Sequence, residues 1–125
     1  MKNLKILIID HDALSMDLLG TIFAHFGVET IQKCLSGEEG IEKHKSTQAD
    51  IIFIEQELPS VSALELAKTL KEISAKTSVV LVSDTPTADV VNSALENGAD
   101  GFLAKPYSAD NVTHTIRHLE KNKES

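Results

Sequence analysis

The sequence predicts a single α/β domain with a five-stranded parallel sheet and helices on both faces. Three short apolar runs, at residues 6–9, 51–54 and 79–82, are continuous rather than alternating, as expected of strands buried on both faces. Two weaker strands are predicted at residues 29–34 and 101–104. Segments with helical spacing separate the strands, so the order is strand then helix, repeated. Such short connections favour right-handed crossovers between parallel strands.

The first helix is predicted to begin after Asp12, because an aspartate at this position can cap a helix N-terminus. Gly27 is the predicted end of the helix, since glycine commonly follows the last helical turn. The apolar residues of this segment recur in steps of four and are predicted to form its buried face. They are Leu14, Leu18, Ile22 and Phe26.

The remaining helices are marked by residues that favour helix ends. In order along the chain, the markers are Ser36 with Glu39, Ser62 with Glu65, Pro86 with Thr87, Gly98, and Ser108. The resulting order of elements predicts a flavodoxin-like fold. The domain is predicted to span residues 1–125, with a frayed polar tail over residues 120–125.

The composition limits the classes of function. A formal net charge of −7 and an aromatic content of 4% argue against a nucleic-acid-binding face on this domain. The single cysteine, Cys34, excludes an internal disulfide and fits a reducing compartment. No apolar run reaches the roughly 18 residues needed to cross a bilayer. The expected location is therefore the cytoplasm, away from the membrane.

Polar residues follow the predicted strands at their carboxyl ends, where parallel sheets bind ligands. Asp10, His11 and Asp12 follow the first strand, and single polar residues follow three others. These are Glu55, Ser83 and Lys105. Glu55 lies 45 residues after Asp10, Ser83 lies 28 residues after Glu55, and Lys105 lies 22 residues after Ser83. The sequence therefore predicts that two carboxylates, a hydroxyl and an ammonium converge on one edge of the sheet.

Four segments in order give the sequence its family resemblance: ILIIDHD, ADIIFIEQELP, SVVLVSD and GADGFLAKPY. The chain resembles the receiver domain of response regulators in two-component signalling over essentially its whole length. This resemblance implies a non-enzymatic signalling module that acts through protein partners, such as a histidine kinase, a phosphotransfer protein or a fused effector domain. It also implies a possible homodimer through the last two helices.

The resemblance further assigns roles to individual residues. In the family, two adjacent acids after the first strand and an acceptor aspartate after the third strand hold Mg²⁺. Asp10 matches the first acid, Ser83 the phosphate-binding hydroxyl and Lys105 the lysine. Phe102 matches the switch aromatic, and Pro106 follows the lysine through a peptide bond that is often cis in this family.

Three positions depart most from the family pattern. His11 replaces the second acid, and imidazole is a poorer ligand than carboxylate for Mg²⁺. Glu55 replaces the acceptor aspartate, and Asp84 adds a charge at the predicted mouth of the pocket. Either no cofactor or a weakly bound Mg²⁺, held by Asp10 and Glu55, is therefore expected. Glu57 is also predicted to lie in the acidic pocket.

Two hypotheses concern individual side chains of the pocket. The longer side chain of Glu55 is predicted to reach Lys105 and Ser83, and to hold the domain in one conformation. His11 is predicted to hydrogen-bond an acid, which would raise its pKa. The other histidines are interpreted as helix-surface residues: His25, His44, His114 and His118.

The leading functional hypothesis is an atypical receiver that acts by protein–protein contact without phosphorylation. One alternative retains weak phosphorylation at Glu55 or at a shifted acceptor such as Asp12. A remote alternative is a haloacid-dehalogenase-like phosphatase with Asp10 as nucleophile and Asp12 as general acid. That alternative is weakened because the downstream paired acids expected for its Mg²⁺ are missing.

Overall fold

A computed structural model describes residues 1–124 of the chain, with the side chain of residue 124 left aside. Its five strands form one parallel sheet in the order β2-β1-β3-β4-β5. The strands are β1 (Lys5–Ile9), β2 (Thr30–Cys34), β3 (Ile51–Glu55), β4 (Ser78–Ser83) and β5 (Gly101–Ala104). The helices are α1 (Ala13–His25), α2 (Gly37–Thr47), α3 (Ala63–Ile73), α4 (Ala88–Glu96) and α5 (Ala109–Glu124). The predicted flavodoxin-like α/β fold is confirmed.

The sheet is buried on both faces, which explains why its strands are continuously apolar. Leu7 and Ile9 of β1 pack on one face with residues from α2, α3 and α4, whereas Ile6 and Ile8 pack on the other with α1 and α5. Successive side chains of a strand point to opposite faces, so both sets must be apolar. The two layers of helices therefore leave the carboxyl edge of the sheet as the place where polar side chains gather.

The predicted buried face of α1 is confirmed in part for Ile22 and Phe26, which pack partly buried against the core, and is wrong for the other two residues. Leu14 is 71% exposed and Leu18 is 56% exposed, whereas Met16, Leu19 and Phe23 are buried. A row of residues in steps of four drifts around a helix of 3.6 residues per turn, whereas mixed steps of three and four stay on one face. The core therefore contacts the mixed-step row, and the two leucines lie on the solvent side.

The helix caps follow the sequence markers. Ser36, Ser62, Thr87 and Ser108 each accept a hydrogen bond from the amide three residues ahead. The helix α5 continues through residue 124, and the predicted fraying of residues 120–125 stays a prediction. Lys123 Nζ donates to the Lys76 carbonyl at 3.0 Å, which ties the last turn of α5 to the loop between α3 and β4. Ser125 lies outside the described residues.

His44 was predicted to lie on a helix surface, and this is wrong, because its side chain is fully buried. Its Nδ1 accepts a hydrogen bond from the Ala49 amide at 3.0 Å, and its Nε2 lies 3.1 Å from the Leu70 carbonyl oxygen. Burial lowers the pKa of His44, and the hydrogen bond to Leu70 opposes this only in part. The imidazole thus joins α2, α3 and the segment that leads into β3.

Within residues 1–124, the helices fall short of the length and apolarity that crossing a membrane requires.

Candidate functional site

The predicted polar residues do meet at one edge of the sheet. Asp10 directly follows β1, Glu55 ends β3, Ser83 ends β4, and Lys105 directly follows β5. Neighbouring strands are in register there, since Ile9 is opposite Ile54 in the pairing of β1 with β3. Parallel strands in register bring their carboxyl ends to the same edge. The sheet therefore fixes the spacing of these side chains.

Glu55 lies between two basic side chains. Its Oε2 accepts a hydrogen bond from the His11 amide at 3.2 Å and forms a short contact with His11 Nδ1. Its Oε1 lies 3.8 Å from Lys105 Nζ. Only 6% of Glu55 is exposed, so its carboxylate depends on these partners rather than on water. The predicted proximity of Glu55 to Lys105 and the predicted pairing of His11 with an acid are both confirmed.

Asp10 is the second buried carboxylate and is 2% exposed. Its Oδ2 lies 3.3 Å from Lys105 Nζ, and its Oδ1 accepts a hydrogen bond from the Asp12 amide at 2.9 Å. Burial alone would lower the pKa of Lys105, but the nearby acidic groups, with Asp10 as the largest contributor, together outweigh burial and raise it. Lys105 is therefore charged and is shared between Asp10 and Glu55.

The pKa values of His11 and Glu55 are linked. The hydrogen bond to Glu55 and the charge of Glu55 raise the pKa of His11. Burial, followed by the interaction with Asp10, raises the pKa of Glu55, whereas the two hydrogen bonds from His11 oppose this rise. Two groups in such close contact titrate as a pair. The proton of the imidazole and the charge of the carboxylate are consequently coupled.

Ser83 belongs to a neighbouring set of hydrogen bonds. Its Oγ accepts a hydrogen bond from the Thr85 amide at 3.0 Å and donates to Glu57 Oε1 at 3.4 Å. Thr85 Oγ1 also donates to Glu57 Oε1 at 3.2 Å. The expected approach of Glu55 to Ser83 is thus replaced by a Ser83–Thr85–Glu57 cluster. Thr85 was missed, although a hydroxyl residue two positions after Ser83 is a signal for a local turn of this kind.

Three other predicted residues lie around these clusters. Asp12 caps α1, as predicted, because its Oδ1 accepts hydrogen bonds from the Leu14 and Ser15 amides at 3.0 and 3.4 Å. Asp84 is exposed directly after β4, and its effect on an incoming anion stays a prediction. Phe102 is partly buried against the core on the α2–α3 side of the sheet. The Lys105–Pro106 peptide bond is cis, as the resemblance implied.

The donor atoms of this edge fit Mg²⁺ poorly. Asp10, His11 and Glu55 offer ligand atoms that lie within 4.8 Å of one another, but one of the three is an imidazole nitrogen. Mg²⁺ prefers a complete set of oxygen ligands in near-octahedral geometry. The Lys105 ammonium already lies 3.3 Å from Asp10 and adds a competing positive charge. The expected weakness of Mg²⁺ binding therefore has a structural basis.

Comparison with known proteins assigns the family. Residues 6–117 match the response regulator receiver domain, so the chain belongs to the receiver family of two-component signalling. It is 27% identical to the chemotaxis protein CheY of Bacillus subtilis over 90% of this chain and 93% of that protein. It is also 30% identical to a protein-glutamate methylesterase/protein-glutamine glutaminase of Treponema denticola, over 97% of this chain but only 34% of that enzyme.

A solved structure gives the same result. A two-component response regulator from Clostridium difficile superposes with a TM-score of 0.85 at 25% identity, over 98% of this chain and 100% of that one. The family is that of the leading prediction and not that of haloacid-dehalogenase-type phosphatases. The chain is thus a receiver domain. It is distinguished by the altered residues at its strand ends, His11 and Glu55.

Proposed function

We propose that this domain is an atypical receiver that transmits signals by protein–protein contact, without phosphorylation at its acceptor position. The observation that carries the proposal is the environment of Glu55. This residue stands where the family has its acceptor aspartate, and both of its carboxylate oxygens already face positive groups, His11 and Lys105. An acceptor needs an oxygen that is available for attack on a phosphorus atom.

Geometry and charge both weigh against transfer to Glu55. Phosphoryl transfer depends on positioning and on charge neutralisation, with little covalent chemistry from the protein. The additional methylene moves the carboxylate outward by roughly 1.5 Å, and an error of about 1 Å can reduce a positioned reaction by on the order of 100-fold. His11 also removes the second acid that would hold the metal ion.

The Glu55–Lys105 pair supports a fixed conformation. In a phosphorylated relative the lysine contacts the phosphoryl group, whereas here Glu55 supplies a permanent carboxylate 3.8 Å from Lys105. A carboxylate brings a charge of about −1, compared with about −1.5 to −2 for a phosphate. We therefore place this domain in a constitutive state whose strength is below that of full phosphorylation.

The last two helices and β5 are the proposed output surface. A shallow groove of about 200 Å³ lies between α4 and α5 and is lined in part by Leu95, Phe102 and His118. Leu95 is 45% exposed and contributes apolar surface to this groove. The proposed partners are a histidine kinase, a phosphotransfer protein, an effector domain or a second copy of this chain.

The proposal is tested with a small-molecule phosphodonor, Mg²⁺ and intact-mass measurement. The wild-type protein is expected to gain no phosphoryl group. The matched control is the double variant His11→Asp with Glu55→Asp, which restores the acids of the family and is expected to gain one phosphoryl mass.

Stoichiometric phosphorylation of the wild-type protein would overturn the proposal. Loss of that product in an Asp12→Asn variant would identify a shifted acceptor, whereas its loss in a Glu55→Gln variant would identify Glu55. If the double variant also fails to react, beryllofluoride binding to that variant, followed by amide NMR, shows whether its acid pocket has formed.

A further inference from the structure

We infer that Asp10, His11 and Glu55 form a binding site for a transition-metal dication of the Zn²⁺ class, in place of the family's Mg²⁺ site. The inference rests on one imidazole and two carboxylates whose ligand atoms lie within 4.8 Å of one another. It concerns a ligand and is independent of whether the domain is phosphorylated.

The geometry places three donor atoms around one point. The candidate ligand atoms of the three residues lie within 4.8 Å of one another, and His11 Nδ1 is 3.9 Å from Asp10 Oδ1. Donor atoms bound at about 2.0–2.2 Å to a tetrahedral ion lie roughly 3.4 Å from one another. Movements of well under 2 Å therefore bring all three into contact with one ion.

The surroundings of the ligands are suited to a metal site. Asp10 and Glu55 are nearly completely buried, and the Asp12 and His11 amides hold their carboxylates in place. His11 is different, because half of its side chain is exposed. The imidazole therefore lies at the opening and provides a route from solvent, while the two carboxylates form the fixed interior.

The chemistry of the donors selects the class of ion. Imidazole nitrogen is a common ligand of Zn²⁺ and related dications, whereas Mg²⁺ takes oxygen ligands. Two carboxylates and a neutral imidazole together offer a charge of −2, which matches the dication. The metal would occupy the place of the proton between His11 and Glu55, and that proton would leave to solvent.

Lys105 limits the affinity but leaves the site open. Its Nζ lies 3.3 Å from Asp10 Oδ2, so that Asp10 Oδ1, the oxygen nearer to His11, stays available to a metal ion. Lys105 is also 3.8 Å from Glu55 Oε1, whereas His11 contacts Oε2. Each carboxylate thus has one oxygen toward the ammonium and the other toward the imidazole, and water would complete the coordination.

A second pair of histidines has to be separated from this site. His114 and His118 are both exposed on α5 and are four residues apart. Residues at this spacing lie on the same side of a helix, so two imidazoles there could chelate a dication by themselves. The experiment is therefore performed in a His114→Ala, His118→Ala background, which leaves the residues of the strand-end site intact.

The test is a titration of that background protein with Zn²⁺, Co²⁺ and Mg²⁺, followed by calorimetry, Co²⁺ visible absorption and amide NMR. Zn²⁺ is expected to bind at least about 10-fold more tightly than Mg²⁺, because the imidazole favours the softer ion. The His11→Ala variant is expected to lose at least about 10-fold in Zn²⁺ affinity, since even indirect support of a metal ligand is worth this much. Amide shifts on Zn²⁺ addition should centre on residues 10–12 and 55.

A His11→Asp variant provides the opposite control. It restores an all-oxygen set, so its preference should shift from Zn²⁺ toward Mg²⁺. The inference is overturned if the background protein binds Mg²⁺ as tightly as Zn²⁺, if His11→Ala retains the Zn²⁺ affinity, or if the amide shifts lie away from the strand ends. Both substitutions are at a half-exposed position, and a dispersed amide spectrum verifies that each variant is folded.

Discussion

Replacement of His44 by alanine is expected to destabilise the domain most at neutral and alkaline pH. The Ala49 amide would lose its buried acceptor, at a cost of about 1–3 kcal/mol. The space left by the fully buried imidazole adds roughly 1–2 kcal/mol. The Leu70 carbonyl still accepts a hydrogen bond from Ser74 at 3.3 Å, so it adds little. The expected loss in the free energy of unfolding is therefore about 2–5 kcal/mol.

The pH dependence of this loss follows from the direction of the pKa shift. Nδ1 of His44 accepts a hydrogen bond, so the neutral imidazole carries its proton on Nε2, and a second proton would face the Ala49 amide. Folding lowers the pKa of His44 below 6.5, so the unfolded chain binds more protons as the pH falls below 6.5. The stabilisation by His44 is thus complete above 6.5 and is lost as the pH falls toward the folded-state pKa. The slope approaches about 1.4 kcal/mol per pH unit for one proton.

The assay is urea unfolding of the wild-type and His44→Ala proteins at a series of pH values on both sides of 6.5. The difference between their free energies of unfolding should shrink as the pH falls. His11, whose pKa is raised by Glu55, contributes with the opposite sign but is present in both proteins and cancels from the difference. A His25→Ala variant, altered at an exposed residue of α1, serves as the control. A difference that is constant over pH, or that grows in acid, would refute the reasoning.

Three further predictions test packing. Gly40→Ala should lower the free energy of unfolding by about 1–3 kcal/mol, because the new Cβ would lie 2.3 Å from an isoleucine side chain of β1. Gly20→Ala is its matched control and should be neutral or stabilising by up to about 1 kcal/mol, since the only close approach of the new Cβ is to the end of a flexible lysine side chain. Leu19→Ala should lower the free energy of unfolding by about 2–5 kcal/mol, whereas Leu18→Ala, on the exposed side of α1, should change it by no more than about 1 kcal/mol. Equal losses for the two variants in urea unfolding would contradict the described helix face. Cys34 is buried, and burial is the chief reason that its pKa is raised to about 11. The thiol should therefore resist alkylation until denaturant is added. Rapid alkylation of the folded protein, measured by mass spectrometry, would contradict this.

The sequence predicts the fold well because a buried parallel strand leaves a clear pattern. Residues 6–9, 51–54 and 79–82, within β1, β3 and β4, are apolar at every position. The caps at Ser36, Ser62 and Ser108 are determined within a few residues of chain. The face of α1 was harder to predict, because apolar residues occur both in steps of four and in the mixed row that includes Leu19. Packing against the sheet determines which of the two rows is buried, and this packing involves residues distant in the sequence.

The sequence predicts which residues form the candidate site, but not all of the hydrogen bonds that they make with one another. Strand ends identify Asp10, Glu55, Ser83 and Lys105, and the approach of Glu55 to Lys105 follows from side-chain length. The preference of Ser83 for Glu57 and Thr85 depends on the path of the loop after β4, which the spacing leaves undetermined. The burial of His44 was also not predictable from local sequence. Its hydrogen-bond partners lie on α3 and before β3 rather than on its own helix.

The strand order has a consequence for how the charges of the site come together during folding. Lys105 is 95 residues from Asp10 along the chain of 125 residues, so their contact closes most of the polypeptide into one loop. Contacts of such separation are entropically costly to form before the intervening strands pair. A chain cut before β5 would place Asp10 and Glu55 side by side without the ammonium between them, and their repulsion would oppose closure of the sheet. The His11 amide donates to Glu55 across the pairing of β1 with β3, so its protection from hydrogen exchange reports that pairing. The Asp12 amide donates only two residues back to Asp10, and its protection reports the local turn.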